Sequence, residues 1–333
     1  MWEVSKIYLI LAAVLIFVMT AISGRFIIPV LKRKKISQTE REEGPESHLK
    51  KTGTPTFGGL IFLPPLLLVT AVYTVLQGRP DLLLTLFFVA LIAAIGFFDD
   101  YYKVHHKEGI SAGRKTILLL IVCGLYVLAY CLWGQPVLVW PGSAGLVEVK
   151  GWGKVFYALF LLFYFYAVIN AVNLTDGVDG LLSSVNMPVA LTLTVSGLFL
   201  ADRLGLAAAA AAVPVALGII GAGAGFLIYN KHKAQVFMGD TGSLALGALL
   251  AAVAMLQGIP WILLPAGIIY VLEAGSVVIQ VLYFRKTGGK RIFRMSPIHH
   301  HFELGGWSEG KVVFVFTSIA TVGCLLGLIL LLF

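Results

Sequence analysis

Residues 82–103 read LLLTLFFVALIAAIGFFDDYYK. The run 82–98 carries no charge, and a helix needs about 20 mostly apolar residues to cross the hydrocarbon core of a bilayer. The run ends on two adjacent acids, with a lysine four residues after the first. Asp99 and Lys103 therefore share one face of a continuing helix, while Asp100 points about 100° away. An apolar span that stops at carboxylates and a lysine is the pattern by which the rest of the chain can be read.

Nine further stretches qualify as spans, giving ten: 7–31, 57–76, 82–98, 116–133, 154–172, 184–201, 207–229, 241–257, 261–284 and 312–332. The expected fold is an all-α polytopic membrane protein with ten transmembrane helices, forming a single integral membrane domain over 1–333. No soluble domain fits in the gaps, the longest of which are 32–56, 134–153 and 285–311. Composition agrees: 59% hydrophobic, 13% charged, mean hydropathy +0.91, against roughly 45–50% and about 25% in soluble domains. The first run is too long for the apolar core of a signal peptide and is read as a span. Cys123, Cys131 and Cys324 lie in or beside apolar runs and offer neither a disulfide framework nor metal-ligand spacing. In the gap 134–153, residues 136–140 and 146–150 flank a Pro-Gly-Ser-Ala-Gly turn and predict a small β-hairpin. Gly221-Ala-Gly-Ala-Gly225 looks like a phosphate loop but lies inside an apolar span, so it is read as a helix-packing surface.

Charge orients the ten spans. Gaps 1–2, 3–4, 5–6, 7–8 and 9–10 hold Lys32, Arg33, Lys34, Lys35, Arg41, Lys50, Lys51, Lys103, Lys107, Arg114, Lys115, Lys231, Lys233, Arg285, Lys286, Lys290, Arg291, Arg294 and Lys311, which is 19. The other gaps hold Arg79, Lys150, Lys154 and Arg203, which is 4. The positive-inside rule then places the first set in the cytoplasm, and both termini and the hairpin in the periplasm. It also accounts for the net charge of +8 without nucleic acid as a partner.

With that topology all seven His (48, 105, 106, 232, 299, 300, 301) and Asp99, Asp100, Asp176, Asp179 and Asp240 fall on the cytoplasmic face. Single acids at helix ends usually cap or snorkel. Three acidic clusters on one face, two of them beside glycines, point to function. Several carboxylates without a thiolate suit a hard cation, foremost Mg²⁺, and Lys51, Lys103 and Lys115 could neutralise phosphate oxygens. Carboxylates, Mg²⁺ and lysines are the parts of phosphoryl transfer. Pro297-Ile-His-His-His-Phe-Glu303 is read as a loop offering imidazoles to phosphate or sugar, since adjacent positions converge poorly on one ion. Glu273, alone in mid-span, is read as a helix-packing contact rather than part of a polar groove.

Five motifs in order, Gly53-Thr-Pro-Thr-Phe-Gly-Gly59, Asp-Asp-x-x-Lys at 99–103, Asn173-Leu-Thr-Asp-Gly-Val-Asp-Gly180, Met238-Gly-Asp-Thr-Gly-Ser243 and Pro297–Glu303, resemble the phospho-N-acetylmuramoyl-pentapeptide transferase family. This family belongs to the polyprenyl-phosphate N-acetylhexosamine-1-phosphate transferase superfamily, and the likeness covers nearly the whole chain. It implies Mg²⁺-dependent transfer of phospho-MurNAc-pentapeptide from UDP-MurNAc-pentapeptide to undecaprenyl phosphate, giving lipid I and UMP for peptidoglycan synthesis. The setting would be the bacterial inner membrane, with the active site on the cytoplasmic face.

By the same resemblance Asp240 is the principal Mg²⁺ ligand and Asp176 a second candidate. Asp99 and Asp100 engage the lipid phosphate. Asn170, Asn173, Asp176 and Asp179 border the nucleotide. Asn230 and Phe237 hold the uracil. Lys51, Lys103, Lys115, His299, His300 and His301 contact pyrophosphate and sugar, with Lys103 and His299 counted among the catalytic groups. A homodimer is an analogy. The alternatives are a polyprenyl-phosphate GlcNAc-1-phosphate transferase, from which the uninterrupted His triplet followed by Phe-Glu separates this chain, and a lipid flippase or transporter. One-step transfer is expected, because a phosphate monoester with a second pKa of about 6 is already mostly a dianion near neutrality; a base role for Asp99 would then matter most at low pH.

Overall fold

A computed structural model describes residues 2–34, 36, 53–106, 108–142 and 145–333; Lys51 lies outside them. The helices are α1 (Trp2–Arg33), α2 (Gly59–Leu76), α3 (Pro80–His106), α4 (Ala112–Trp133), α5 (Gly153–Leu174), α6 (Leu181–Leu204), α7 (Ala207–Asn230), α8 (Gly239–Leu256), α9 (Ile268–Lys286), the short α10 (Ile298–Glu303) and α11 (Glu309–Leu332). All but α10 are long and apolar enough to span a membrane, so the chain is a multi-pass membrane protein. Strands β1 (Val137–Val139) and β2 (Leu146–Glu148) pair antiparallel, Val137 opposite Glu148, a hairpin shorter than the flanking residues predict.

Two boundaries differ from the sequence reading by seven residues or more. α3 continues past the apolar run to His106 because no glycine or proline interrupts it before Gly109, which puts Asp99, Asp100 and Lys103 on a rigid helix. The ninth span starts later, at Ile268, because Pro260, Pro265 and Gly267 leave only a 3₁₀ turn at Pro260–Leu263 before it.

α8 is the hub. Its residues from Thr241 to Leu256 are all buried. Small residues let neighbouring spans press onto it: a Cβ on Gly96 of α3 would stand 2.3 Å from the Asp240 carbonyl oxygen, and one on Gly247 would stand 2.8 Å from Ile169 Cα of α5. At one end the first turn of α8 carries Asp240. At the other, the Gly258 carbonyl accepts the Val139 N–H of the hairpin at 2.8 Å, so hairpin and acids lie at opposite ends of the bundle. The Gly221–Gly225 stretch packs on α1, where a Cβ at Gly221 would meet the Ala13 carbonyl oxygen at 2.3 Å, as a packing surface should.

Candidate active site

The ends of α3, α4, α5 and α8 meet around four charges. Lys103 Nζ lies 2.8 Å from Asp99 Oδ2 and 3.0 Å from Asp240 Oδ2. Lys115, from the first turn of α4, lies 3.3 Å from the same Asp99 oxygen and in direct contact with Asp240 Oδ2. Two ammoniums thus bridge two carboxylates that are 141 positions apart in sequence (240 minus 99). The remaining Asp99 oxygen accepts the Ile110 N–H at 2.7 Å. The other oxygen of Asp240 accepts from Asn173 Nδ2 at 2.9 Å, and that amide also reaches Ser243 Oγ at 2.8 Å.

Asp100 does something different from its neighbour. Its oxygens accept the Asp240 N–H at 3.0 Å, the Thr241 N–H at 2.9 Å and the Thr241 hydroxyl at 2.6 Å. It caps the N-terminus of α8 from another helix, an arrangement that satisfies orphan N–H groups and complements the helix dipole.

Beside this cluster opens a cavity of about 270 Å³, lined among others by Lys103, Asn173, Asp176, Phe237, Asp240 and His300. Asp176 sits in the turn between α5 and α6. Burial first, then the negative charges of Asp240, Asp100 and Asp179, push its carboxyl well above the usual carboxylate range, against the opposing pull of Lys103. A carboxylate held among like charges, with hard oxygens and no thiolate nearby, fits a divalent cation such as Mg²⁺.

The cavity's far wall is built by bonds between loops. Asn230 accepts the Gly180 N–H at 3.1 Å and donates to the Val236 carbonyl at 3.1 Å, so its amide shapes the wall on which Phe237 stands. Asp179 accepts the Ala234 N–H at 2.9 Å. The 53–59 motif runs alongside: Gly58 N–H donates to the Phe237 carbonyl and Phe237 N–H to the Pro55 carbonyl, both at 2.8 Å.

The histidine motif is a helical turn, not a loop, and the structure separates its members. His299 is buried and lies 3.0 Å from Glu273 Oε1. His300 lines the cavity and lies 2.9 Å from Glu303. His301 faces away and accepts the Arg294 N–H at 3.1 Å. The turn brings ligand atoms of His299, His300 and Glu303 within 4.8 Å of one another, closer than adjacent positions suggest.

Asn170 donates to the Tyr166 carbonyl at 2.7 Å, one turn up α5, and is not among the residues lining the cavity. Thr241 and Ser243, which support Asp100 and Asn173, went unassigned in the sequence; a hydroxyl beside Gly-Asp at a helix start is a capping signal that could have found them. Nothing local marks Glu273 as a partner of His299.

Residues 82–258 match the family described as Glycosyl transferase family 4. The chain is similar to the phospho-N-acetylmuramoyl-pentapeptide-transferase of Listeria monocytogenes serotype 4b (strain CLIP80459), 40% identical over 321 residues covering 95% of this chain and 96% of the relative. It is 44% identical to the Clostridium novyi (strain NT) protein of that name over 330 residues, covering 96% of this chain and 95% of the relative. For the Clostridium perfringens (strain 13 / Type A) protein the identity is 43% over 324 residues, covering 96% and 97%.

Proposed function

Because this chain belongs to the phospho-N-acetylmuramoyl-pentapeptide transferase family, we propose that it transfers phospho-MurNAc-pentapeptide from UDP-MurNAc-pentapeptide to undecaprenyl phosphate, releasing UMP and forming lipid I. The observation that carries this reading is the joint hold of Lys103 and Lys115 on Asp99 and Asp240, with Lys103 and Asp240 lining the cavity. Fixed cations beside hard carboxylates, next to an open polar cavity at the end of apolar spans, suit a reaction that moves a phosphoryl group from a soluble carrier to a lipid.

The roles follow from placement. The UDP end of the donor occupies the cavity, with uracil stacked on Phe237 and the diphosphate toward Lys103. Lys103 and Lys115 exchange part of their hold on the carboxylates for phosphate oxygens and neutralise charge as it develops on them. Asp99, reached from the α3–α4 loop, orients the lipid phosphate, which attacks the donor phosphorus directly. Asp100 keeps Asp240 in place by holding the start of α8. His300 reaches the sugar side of the cavity. Asp240, with Asp176, would hold Mg²⁺, which when bound supplies positive charge to the diphosphate. The cavity faces the cytoplasm of a bacterial inner membrane, a placement supported by the 19-to-4 distribution of basic residues between the two sets of gaps.

A donor swap tests the reading. Purified protein with undecaprenyl phosphate and Mg²⁺ should release UMP from UDP-MurNAc-pentapeptide and not from UDP-GlcNAc. Turnover of UDP-GlcNAc alone would move the chain to the other branch of the superfamily.

A further inference from the structure

Glu273 is fully buried in α9, a span whose other residues up to Phe284 carry no charge. Packing alone does not call for a carboxylate there, since an apolar side chain of the same size fills the space without desolvating a charge. Its polar neighbours come from outside its own helix. Oε1 lies 3.0 Å from His299 Nδ1, and Oε2 accepts the His299 backbone N–H at 3.4 Å. His299 is itself only 1% exposed, and among the described residues neither of its ring nitrogens nor Glu273 Oε1 completes a hydrogen bond, so the 3.0 Å approach of Oε1 to Nδ1 is a contact of charge and proximity while Nε2 meets no polar group. That nitrogen faces Gly177 so closely that a Cβ there would stand 2.1 Å from it. Gly177 is the residue between Asp176 and Val178, and all three line the cavity.

These contacts form a continuous path from mid-span to the cavity wall. A carboxylate facing Nδ1 favours the tautomer that carries its proton on Nδ1, leaving Nε2 as the free position on the other side of the ring. The other two histidines are anchored by residues close in sequence, His300 by Glu303 and His301 by the Arg294 N–H; His299 lies against a carboxylate on a membrane span.

We infer that Glu273 is a positioning residue of the active site, fixing the tautomer and orientation of His299 so that its Nε2 edge backs the Asp176–Gly177 turn. The inference rests on reading the cavity as the transfer site. Gly177 is the third member: only a glycine leaves room for the imidazole against the turn that carries Asp176.

The test uses the full chain in detergent with UDP-MurNAc-pentapeptide and a polyprenyl phosphate. Glu273→Gln keeps the shape but no longer selects one tautomer, and should lower kcat by roughly 10–100-fold with little change in the KM of the donor. In a His299→Gln background the same substitution should cost nothing further, because the contact is already gone. Additive losses, or wild-type kcat in Glu273→Gln, would overturn the inference. If Glu273→Gln does not fold, Gly177→Ala decides. It should impair turnover when His299 is present and be silent in His299→Ala; a loss independent of residue 299 counts against the inference. Histidine-selective isotope-labelled NMR supplies a readout free of turnover. Wild type should show one histidine locked with its proton on Nδ1, assigned through His299→Gln, and Glu273→Gln should release it; an unchanged signal defeats the inference. A wild type that never turns over the donor would instead refute the proposed function, leaving the NMR result to judge Glu273.

Discussion

The Asp100 carboxylate accepts the backbone N–H of Asp240 at 3.0 Å, while the Asp99 carboxylate shares two lysines with the Asp240 side chain. Adjacent residues on one helix therefore hold the same distant residue in two ways, one by its backbone and one by its charge. The helical rotation of about 100° per residue makes that division possible, and it separates the expected effects of substituting each.

Asp100→Ala should destabilise the fold. It strips three hydrogen bonds from the start of α8, where loss of a cap costs about 0.5–2 kcal/mol. Asp99→Asn should leave stability near wild type, because an amide oxygen can still accept the Ile110 N–H. Thermal unfolding of the two variants in the same detergent checks the contrast; equal midpoints would refute the capping role.

Asp240→Asn should keep the fold, since Asn173 and the Asp100 cap still hold the position, and should lower Mg²⁺-dependent turnover by roughly 10²–10³. The measurement is kcat against Mg²⁺ concentration. Near-normal turnover at the same Mg²⁺ would remove Asp240 as the main ligand.

For Asp99 the structure shifts the expectation from base to positioning. One oxygen takes the Ile110 N–H and the other faces two ammoniums, so the carboxylate is anchored on both sides. The defect of Asp99→Asn should therefore stay constant from about pH 6, where roughly half of the lipid phosphate still carries its second proton, to about pH 9, where it is dianionic. A defect that shrinks as pH rises would restore the base role. Stoichiometric UMP release without lipid acceptor, with sugar phosphate left on the protein, would replace direct attack by a covalent intermediate.

Gly96→Ala should impair both stability and turnover, because its Cβ would meet the Asp240 carbonyl oxygen at 2.3 Å; overpacking of this kind costs about 1–3 kcal/mol. Gly113→Ala on α4, where a Cβ meets nothing within 4 Å, is the matched control and should leave both unchanged. Unfolding midpoints and kcat for the pair decide it.

Orientation is testable by thiol labelling, helped by the burial of all three native cysteines. A cysteine replacing exposed His105 should react only from the cytoplasmic side, and one replacing exposed Trp140 only from outside. The reverse pattern would invert the molecule and remove the cytoplasmic active site.

Much of this was legible in the chain itself. Ten spans follow from apolar run length alone, because a backbone surrounded by lipid has to satisfy its own hydrogen bonds and a helix does so within each segment. The period of the helix likewise places Asp99 and Lys103 on one face, and they meet at 2.8 Å. The five motifs named most of the residues that line the cavity, Asn230 and Phe237 apart, because turn glycines and hydroxyls beside acids are local signals.

What the sequence could not supply was the division of labour among residues of the same type. Asp99 and Asp100 look alike in the chain, and only the packing of α3 against α8 makes one a cap and the other a partner of lysines. His299, His300 and His301 look alike, and only the helical turn of α10 sends one to Glu273, one to the cavity and one to Arg294. Glu273 itself reads as an isolated acid in a span until α9 is folded against α10. Spans, faces and topology depend on residues near one another in the chain and on their free energy in lipid or water. Roles depend on which side chains meet across tens to hundreds of positions, and that is set by the close approach of helices at small residues such as Gly96 and Gly247.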